Sequence, residues 1–124
     1  MQIEADGQPR AREIAVLNHF TSLEIGALIA VVRLEGEAYG VAIHDDIEGF
    51  VARPVSTTAV YDALARLERR GLLRATISAP LAVPGGRSKR LYEITATGRT
   101  CLKHEQTEAT RLWQALPASF RRRL

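Results

Sequence analysis

Four hydroxyl side chains lie close together near the middle of the chain: Ser56, Thr57, Thr58 and Tyr61. On one helix such groups could hydrogen-bond base edges or phosphates in a DNA groove. The alternative is structural, with the threonines acting only as helix caps and the tyrosine only completing the helix packing. Asp62 falls on the same face, where it would repel phosphate unless it accepted a hydrogen bond from a cytosine amino group.

A second group of candidate residues is basic, with Arg87, Lys89 and Arg90 following the pair Gly85-Gly86. Cations at a flexible loop tip are suited to contacting the phosphates of a nucleic acid, although in an arbitrary protein they form a solvated turn. Because the flanking sequence predicts a hairpin, we interpret them as phosphate contacts.

A third group could suggest a metal or acid-base site, since His44, Asp45, Asp46 and Glu48 lie within one helical turn. Neighbouring residues on a helix point about 100° apart, and no second group of ligands occurs elsewhere in the sequence, so the pattern favours a solvated face. The sequence also lacks a Gly-rich phosphate loop and a nucleophile elbow. We therefore expect no metal, no other cofactor and no enzyme activity.

Two residues near the C-terminus have alternative roles. Cys101 is the only cysteine, which excludes an internal disulfide framework. It is interpreted as a small buried residue, the alternative being a redox switch through a symmetry-related partner. Trp113 could contact a small aromatic effector, but a lone aromatic residue on an apolar helical stripe normally packs, which favours an interface position.

The charge of the chain is unevenly distributed. A length of 124 residues with 46% hydrophobic content predicts one domain with a real core, and the net charge of +3 says little about partners. Between residues 51 and 91, however, eight cations stand against two acids, whereas one cation stands against six acids between residues 24 and 50. This polarity is typical of a protein that presents one positive surface to a nucleic acid.

The cellular location is predicted from the same sequence. Met1 to Gln8 is polar and acidic, so we expect no secretory leader. The longest apolar run, residues 25–32, is far shorter than the roughly 20 residues that cross a bilayer. With a single cysteine, these features predict a cytoplasmic protein that does not contact a membrane.

Three helices are predicted in the first part of the chain. A capping box at residues 21–24 begins the first, which we expect to run to about residue 34 and to be buried nearly all round. The second is predicted over residues 40–49, with Ile43, Ile47 and Phe50 facing inward. After Arg53-Pro54, a third is predicted to begin at Ser56 or Thr57, to bury Val60, Leu64 and Leu67, and to end at Gly71.

After Gly71, the spacing of the apolar residues changes from the helical period to the alternation of a strand. Alternation over residues 73–77 and a second run over residues 91–95 predict a hairpin wing with a basic tip. Thr95 or Thr97 is expected to cap a last helix that stops at Leu116-Pro117. Because this helix has little of its own chain to pack on, we expect it to form a homodimer. The predicted interface consists of Leu102, Ala109, Leu112, Trp113 and Leu116.

The predicted fold is therefore α+β and mostly α. It is a winged helix-turn-helix, with three helices and a two-stranded wing, followed by a C-terminal dimerisation helix. Its predicted divisions are an N-terminal extension at residues 1–20, the winged-helix domain at 21–95, and the helix with a basic tail at 96–124. We expect the tail to be solvated, with one more helical turn.

Several motifs in this order resemble the PadR family of bacterial transcriptional regulators, over residues 22–113. They are Ala38-Tyr39-Gly40-Val41-Ala42-Ile43, Val55-Ser56-Thr57 with Ala59-Val60-Tyr61, Leu64-Ala65-Arg66-Leu67-Glu68-Arg69-Arg70-Gly71-Leu72, Gly85-Gly86-Arg87-Ser88-Lys89-Arg90-Leu91-Tyr92, and Ile94-Thr95-Ala96-Thr97-Gly98. The single C-terminal helix is similar to that of the compact subgroup of the family.

The resemblance implies a dimeric winged-helix protein that binds double-stranded DNA at a pseudo-palindromic operator, usually as a repressor. It also implies where DNA is contacted. The implied contacts are Ser56, Thr57, Thr58 and Tyr61 at the groove, Tyr39 at the DNA backbone, and Arg87, Lys89 and Arg90 on the wing.

The sequence thus leads to a hypothesis and an alternative. The hypothesis is a homodimeric, sequence-specific DNA-binding regulator that acts as a repressor. The alternative is a winged-helix module for protein interaction or ligand sensing, without specific DNA binding.

Overall fold

The computed structural model of the protein describes residues 20–77 and 89–124. Its elements are helix α1 (Ser22–Arg33), helix α2 (Gly40–Val51), helix α3 (Thr57–Arg69), strand β1 (Leu73–Ile77), strand β2 (Arg90–Ile94), helix α4 (Ala96–Gln114) and the short helix α5 (Ala118–Arg121). The predicted order of three helices, two-stranded wing and C-terminal helix is confirmed. Of the predicted N-terminal extension only Phe20 is described, and the hairpin tip from Ser78 to Ser88 lies outside the described residues.

Helix α1 begins with the predicted capping box. The N–H of Glu24 donates to the Thr21 hydroxyl (3.1 Å), and Glu24 Oε1 accepts from the N–H of Thr21 (2.8 Å). The expectation that this helix is buried nearly all round is wrong, because Ile29 is 37% and Val32 46% exposed. Both side chains line a groove between this helix and the last long helix of the chain.

Helix α2 buries Ile43 and Ile47 completely, as predicted. Phe50 does not share this burial and is 39% exposed, because its ring lies at the edge of the core beside Gly26. The guanidinium of Arg33 lies over the Phe50 ring, 5.7 Å from its centre. The helix therefore ends with an aromatic side chain at the surface instead of in the core.

Helix α3 begins and ends where the sequence predicts. Ser56 is the N-cap, and its Oγ accepts from the N–H of Ala59 at 3.2 Å. The predicted apolar stripe of Val60, Leu64 and Leu67 is fully buried. Gly71 has a φ of +77°, a left-handed conformation that glycine adopts without a steric penalty and that turns the chain into β1.

Strands β1 and β2 form an antiparallel pair, with Leu73 opposite Ile94 and Ile77 opposite Arg90. The base of this wing is attached to the segment before α2. Tyr39 forms an isolated bridge with Leu91, and the N–H of Tyr92 donates to the Ala38 carbonyl at 3.0 Å. The wing is therefore fixed to the helix-turn-helix unit along its second strand.

Helix α4 begins at the predicted cap, where the Thr95 hydroxyl accepts from the N–H of Gly98 at 3.0 Å. Cys101 is 1% exposed, which confirms its interpretation as a small buried residue, and burial raises the pKa of its thiol. Further along, Leu112 is 73% and Trp113 60% exposed. The first turns of α4 therefore belong to the core, whereas its last turns project from it.

In the ranges 20–77 and 89–124, no helix has the length and apolar character needed to span a membrane.

Candidate nucleic-acid interface

The exposed surface of α3 contains the predicted hydroxyl residues. Thr57, Thr58 and Asp62 are exposed on the first two turns, and Ser56 is exposed while its Oγ caps the helix. The N-terminus of a helix presents unpaired N–H groups and a partial positive charge, which suits an anion such as phosphate. The structure thus brings hydroxyl groups and a positive helix end to one exposed position.

An aromatic pair lies beside this helix end, at the junction of α2, α3 and the wing. The Tyr61 ring covers Gly40 so closely that a Cβ atom at Gly40 would collide with it. Tyr39 precedes Gly40 and caps α2, and Lys89 Nζ lies 5.3 Å from the centre of its ring. Tyr61 remains 40% exposed. Three predicted contact residues, Tyr39, Tyr61 and Lys89, therefore form one surface.

Arg90 has a partner inside the protein. Its Nη2 lies 2.8 Å and 3.0 Å from the two carboxylate oxygens of Glu68, so β2 is joined to α3 by an ion pair. The hydrogen bond to Glu68, together with the charge of that carboxylate, raises the pKa of Arg90. Arg90 nevertheless stays 50% exposed. Arg87, the other predicted wing cation, lies outside the described residues.

The C-terminal half of α3 is fixed to α1 by a buried carboxylate. Glu24 Oε2 lies 3.5 Å from both Arg66 Nε and Arg70 Nη1, and its side chain is only 4% exposed. Burial acts to raise the pKa of Glu24, but hydrogen bonds from Thr21 and the two guanidinium groups outweigh it, so the pKa lies below its usual value. The carboxylate is therefore ionised at neutral pH and holds two cations at the C-terminal end of α3, Arg66 within the helix and Arg70 at its C-cap.

The connection between α2 and α3 is held at Val55, next to Ser56. His44 Nε2 lies 2.8 Å from the Val55 carbonyl oxygen, and Glu48 Oε2 accepts from the Val55 N–H at 2.9 Å. The prediction of a solvated face is wrong for His44 and Asp46, whose side chains are 15% and 17% exposed, although Asp45 is 68% exposed. The reason is that the connection folds back over His44 and that Arg33 of α1 binds Asp46, which the periodicity of one helix cannot reveal.

The hydrogen bonds of His44 also bear on whether His44, Asp45 and Glu48 could bind a metal ion. The bond between Nδ1 and Asp45 (3.0 Å), the bond to the Val55 carbonyl and the carboxylate of Glu48 together raise the pKa of the ring. Ligand atoms of His44, Asp45 and Glu48 lie within 4.8 Å of one another. Because Nε2 carries a proton when it donates to the Val55 carbonyl, a metal ion would have to bind at Nδ1 and replace the hydrogen bond to Asp45.

An apolar groove of about 620 Å³ lies between α1 and α4, away from the exposed face of α3. Its apolar walls are formed by Ile25, Ile29, Val32, Leu102 and Ala109. Two predicted interface residues, Leu102 and Ala109, therefore line this groove. Leu112 and Trp113 extend beyond it in exposed positions, and Leu116 is half-buried.

Sequence reasoning missed the groups that hold α3 in place: Glu24, His44 and Glu48. For Glu24 a signal was present, since an acid in the apolar first helix and a basic end of the third helix suggest a pair. For His44 and Glu48 the spacing of four residues was visible, but nothing in the sequence indicated that Val55 would lie against them.

Comparison with known proteins finds a match between residues 28–104 and the family model described as the transcriptional regulator PadR-like family. Among solved structures, the chain is similar to a PadR family transcription regulator from Clostridium difficile, with 28% identity and a TM-score of 0.55, over 73% of this chain and 91% of that chain. No curated protein matches the chain.

Two further structures share the fold. A PadR-like transcriptional regulator from Bacillus cereus has 22% identity and a TM-score of 0.60, over 74% of this chain and 84% of that chain. BpsR of Bordetella bronchiseptica, whose DNA binding is regulated by 6-hydroxynicotinic acid, has 21% identity and a TM-score of 0.56, over 89% of this chain and 82% of that chain.

Proposed function

Because the chain belongs to the PadR-like family of transcriptional regulators, we propose that it is a sequence-specific DNA-binding repressor that acts as a homodimer on a pseudo-palindromic operator. In this proposal α3 enters the major groove and the wing contacts the flanking backbone. A regulator of this kind acts on the chromosome, so we also propose a cytoplasmic location.

The observation that carries the proposal is the surface formed by the N-terminus of α3 with Tyr61, Tyr39 and Lys89. Hydroxyl groups, a positive helix end and a wing cation lie side by side on it. Each of these groups suits phosphates or base edges. Asp62 is the exception, and in the proposal it accepts a hydrogen bond from a cytosine amino group.

The exposed apolar side chains support the homodimer. Leu112 and Trp113 project from α4 beyond the core, while the groove between α1 and α4 presents Ile29 and Val32. Contact between two copies through these surfaces would remove both from water. Two α3 helices related by a twofold axis would then read half-sites centred about 10 base pairs apart.

A small effector is a second candidate function of the same groove. The DNA binding of BpsR, which shares the fold, is regulated by 6-hydroxynicotinic acid, and here two cations, Arg99 and Lys103, stand beside the apolar walls together with one acid, Glu105. An aromatic acid would fit both the apolar and the cationic parts. In the dimer, Trp113 would be available to contact it.

Selection of bound sequences from a random duplex library tests the proposal, followed by polarisation titrations of the selected duplex at several salt concentrations. We expect a palindromic sequence, binding at least a thousandfold tighter than to random duplex, and an affinity that falls steeply with salt. Equal affinity for all duplexes would reject specific DNA binding and favour the alternative of a protein-interaction or ligand-sensing module.

A reporter gene placed behind the selected operator tests repression. We expect expression to fall when the protein is produced. A rise in expression would overturn the assignment as a repressor while leaving DNA binding intact.

A further inference from the structure

Both backbone polar groups of Val55 are bound by side chains of a single turn of α2. Its carbonyl oxygen accepts from His44 Nε2 at 2.8 Å, and its N–H donates to Glu48 Oε2 at 2.9 Å. The next residue, Ser56, is the N-cap of α3. The start of α3 is therefore positioned by two side chains of the preceding helix.

The two hydrogen bonds of the His44 ring can form together only when both of its nitrogens are protonated. A carbonyl oxygen can only accept, so Nε2 donates to Val55, and the carboxylate of Asp45 accepts from Nδ1 at 3.0 Å. A ring that donates from both nitrogens is an imidazolium cation. A neutral ring retains one N–H, and its bond to Val55 would lose the assistance of the positive charge, which roughly doubles the strength of such bonds.

The charged groups around the ring favour the cation. Among the described residues, these charged groups are the carboxylates of Asp45 and Glu48, both on α2. The Oε2 atom of Glu48 lies 3.5 Å from His44 Nε2. The connection to α3 adds an uncharged acceptor, the Val55 carbonyl oxygen. These groups raise the pKa of His44 above its ordinary value near 6.5. The ring therefore keeps its proton to a higher pH than an ordinary histidine does, and the bond to Val55 weakens when that proton is lost.

We propose that His44 is a positioning residue of the DNA-binding surface: its protonated ring fixes Val55 and the N-terminus of α3, so that operator affinity decreases as the ring loses its proton. The inference rests on the proposed function. A loosely held α3 terminus must be ordered at the moment of binding, and this cost reduces affinity for the operator.

The test is a polarisation titration of the selected operator from about pH 5.5 to about pH 9 at constant ionic strength, with random duplex as reference. For the wild type, we expect the ratio of operator to random affinity to fall by about threefold to tenfold. For His44→Gln it should not vary with pH, because the amide N–H donates at every pH. Asp45→Asn should move the transition to lower pH, since it removes a carboxylate that stabilises the cation. His104→Gln, a change of the same type on α4, should keep the wild-type profile.

An NMR titration of the DNA-free protein separates the inference from the proposed function. The Val55 amide resonance should shift with the same midpoint as the His44 ring in the wild type, and should not follow pH in His44→Gln. A Val55 amide that ignores the His44 titration, or identical pH profiles of operator binding for wild type and His44→Gln, would overturn the inference.

If no duplex is preferred, the proposed function and the role of His44 in DNA binding fail together, and the NMR titration still decides whether the ring fixes Val55. If His44→Gln does not fold, the shift expected for Asp45→Asn decides instead, and an unshifted transition overturns the inference.

Discussion

Tyr61 combines two environments in one side chain. Its ring packs against Gly40, where no other residue type would leave room for it, while 40% of the residue is exposed. The structural and DNA-contacting interpretations of this tyrosine are therefore compatible. They predict different outcomes when only the hydroxyl group is removed.

Tyr61→Phe keeps the packing and deletes the hydroxyl. If that group donates to a phosphate, operator affinity should fall about tenfold, which corresponds to about 1.4 kcal/mol, while the melting temperature stays close to the wild-type value. Polarisation titration and thermal unfolding measure the two effects. Thr107→Val, which removes a hydroxyl on α4, should leave affinity unchanged, and an equally unchanged Tyr61→Phe would assign the tyrosine to packing alone.

Glu24 leads to a prediction about stability in acid. Its pKa in the folded protein lies below its usual value, so its ionised form stabilises the fold above the unfolded-chain pKa of about 4.3. This contribution is lost as the pH falls through the lowered folded-state pKa. Glu24→Gln should therefore be less stable than the wild type at pH 7, by about 1–3 kcal/mol, and the difference should shrink in acid.

Urea unfolding at several pH values measures this difference. Glu35→Gln, an exposed acid in the turn after α1, serves as the matched control and should follow the wild type throughout. A gap between Glu24→Gln and wild type that is the same at pH 7 and at about pH 3 would contradict the ionic role of Glu24.

At the scale of elements, the start of α4 is packed against the end of the helix-turn-helix unit. A Cβ atom at Gly98 would collide with the Leu72 carbonyl and with the Ile94 side chain. The Thr95 hydroxyl donates to the Gly71 carbonyl at 2.7 Å, so the end of α3 and the start of α4 are also joined by a hydrogen bond. This contact depends on the absence of a side chain at one position.

Gly98→Ala should therefore destabilise the protein by about 1–3 kcal/mol, because the added methyl group must displace backbone. Gly49 provides the matched control. It also lies within a helix, but a Cβ atom there would meet nothing within 4 Å, so Gly49→Ala should raise stability by about 0.5–1 kcal/mol. Chemical denaturation measures both, and effects of the same sign would contradict the described packing.

The sequence alone predicted the start and the end of a helix where residues close by in the chain determine them. Ser56 and Gly71 delimit α3, and Thr21 begins α1 with Glu24, because caps and left-handed glycines act within a few positions. Contacts between elements were not predictable, since their distances depend on how the helices and the wing pack. The ring of Tyr61 on Gly40 belongs to this second class.

The same distinction explains the errors at the surface. The apolar sequence of α1 predicted burial on all sides, but Ile29 and Val32 face the groove beside α4 instead of the core. The sequence shows that a residue is apolar, and the helical periodicity shows on which side of the helix it lies. It does not show whether the chain itself supplies the partner.

At the scale of the whole molecule, α1 and α4 share an apolar surface that no other element covers in the described residues. Leu112 and Trp113 account for much of the exposed apolar surface of α4. The proposed homodimer would cover these side chains. Its stability and its DNA affinity should therefore change together.

The double variant Leu112→Glu with Trp113→Glu should be monomeric, because two carboxylates would have to be buried in the interface. Losing the second half-site contact should weaken operator binding by about a hundredfold or more. Light scattering and polarisation measure the two effects. Thr107→Glu, on the other side of α4, should remain dimeric, and a double variant that stays dimeric would show that another surface forms the interface.

The contact at Gly98 also has a mechanical consequence. Helix α4 has 19 residues and is therefore about 28 Å long, and its near end touches the chain just beyond α3. A rotation of α4 by about 5° about this junction would therefore displace the far end of the helix by about 2.5 Å. In a dimer joined through the far ends of α4, the rigidity of the junction would depend on the close contact at Gly98. The distance between the two α3 helices would depend on it as well.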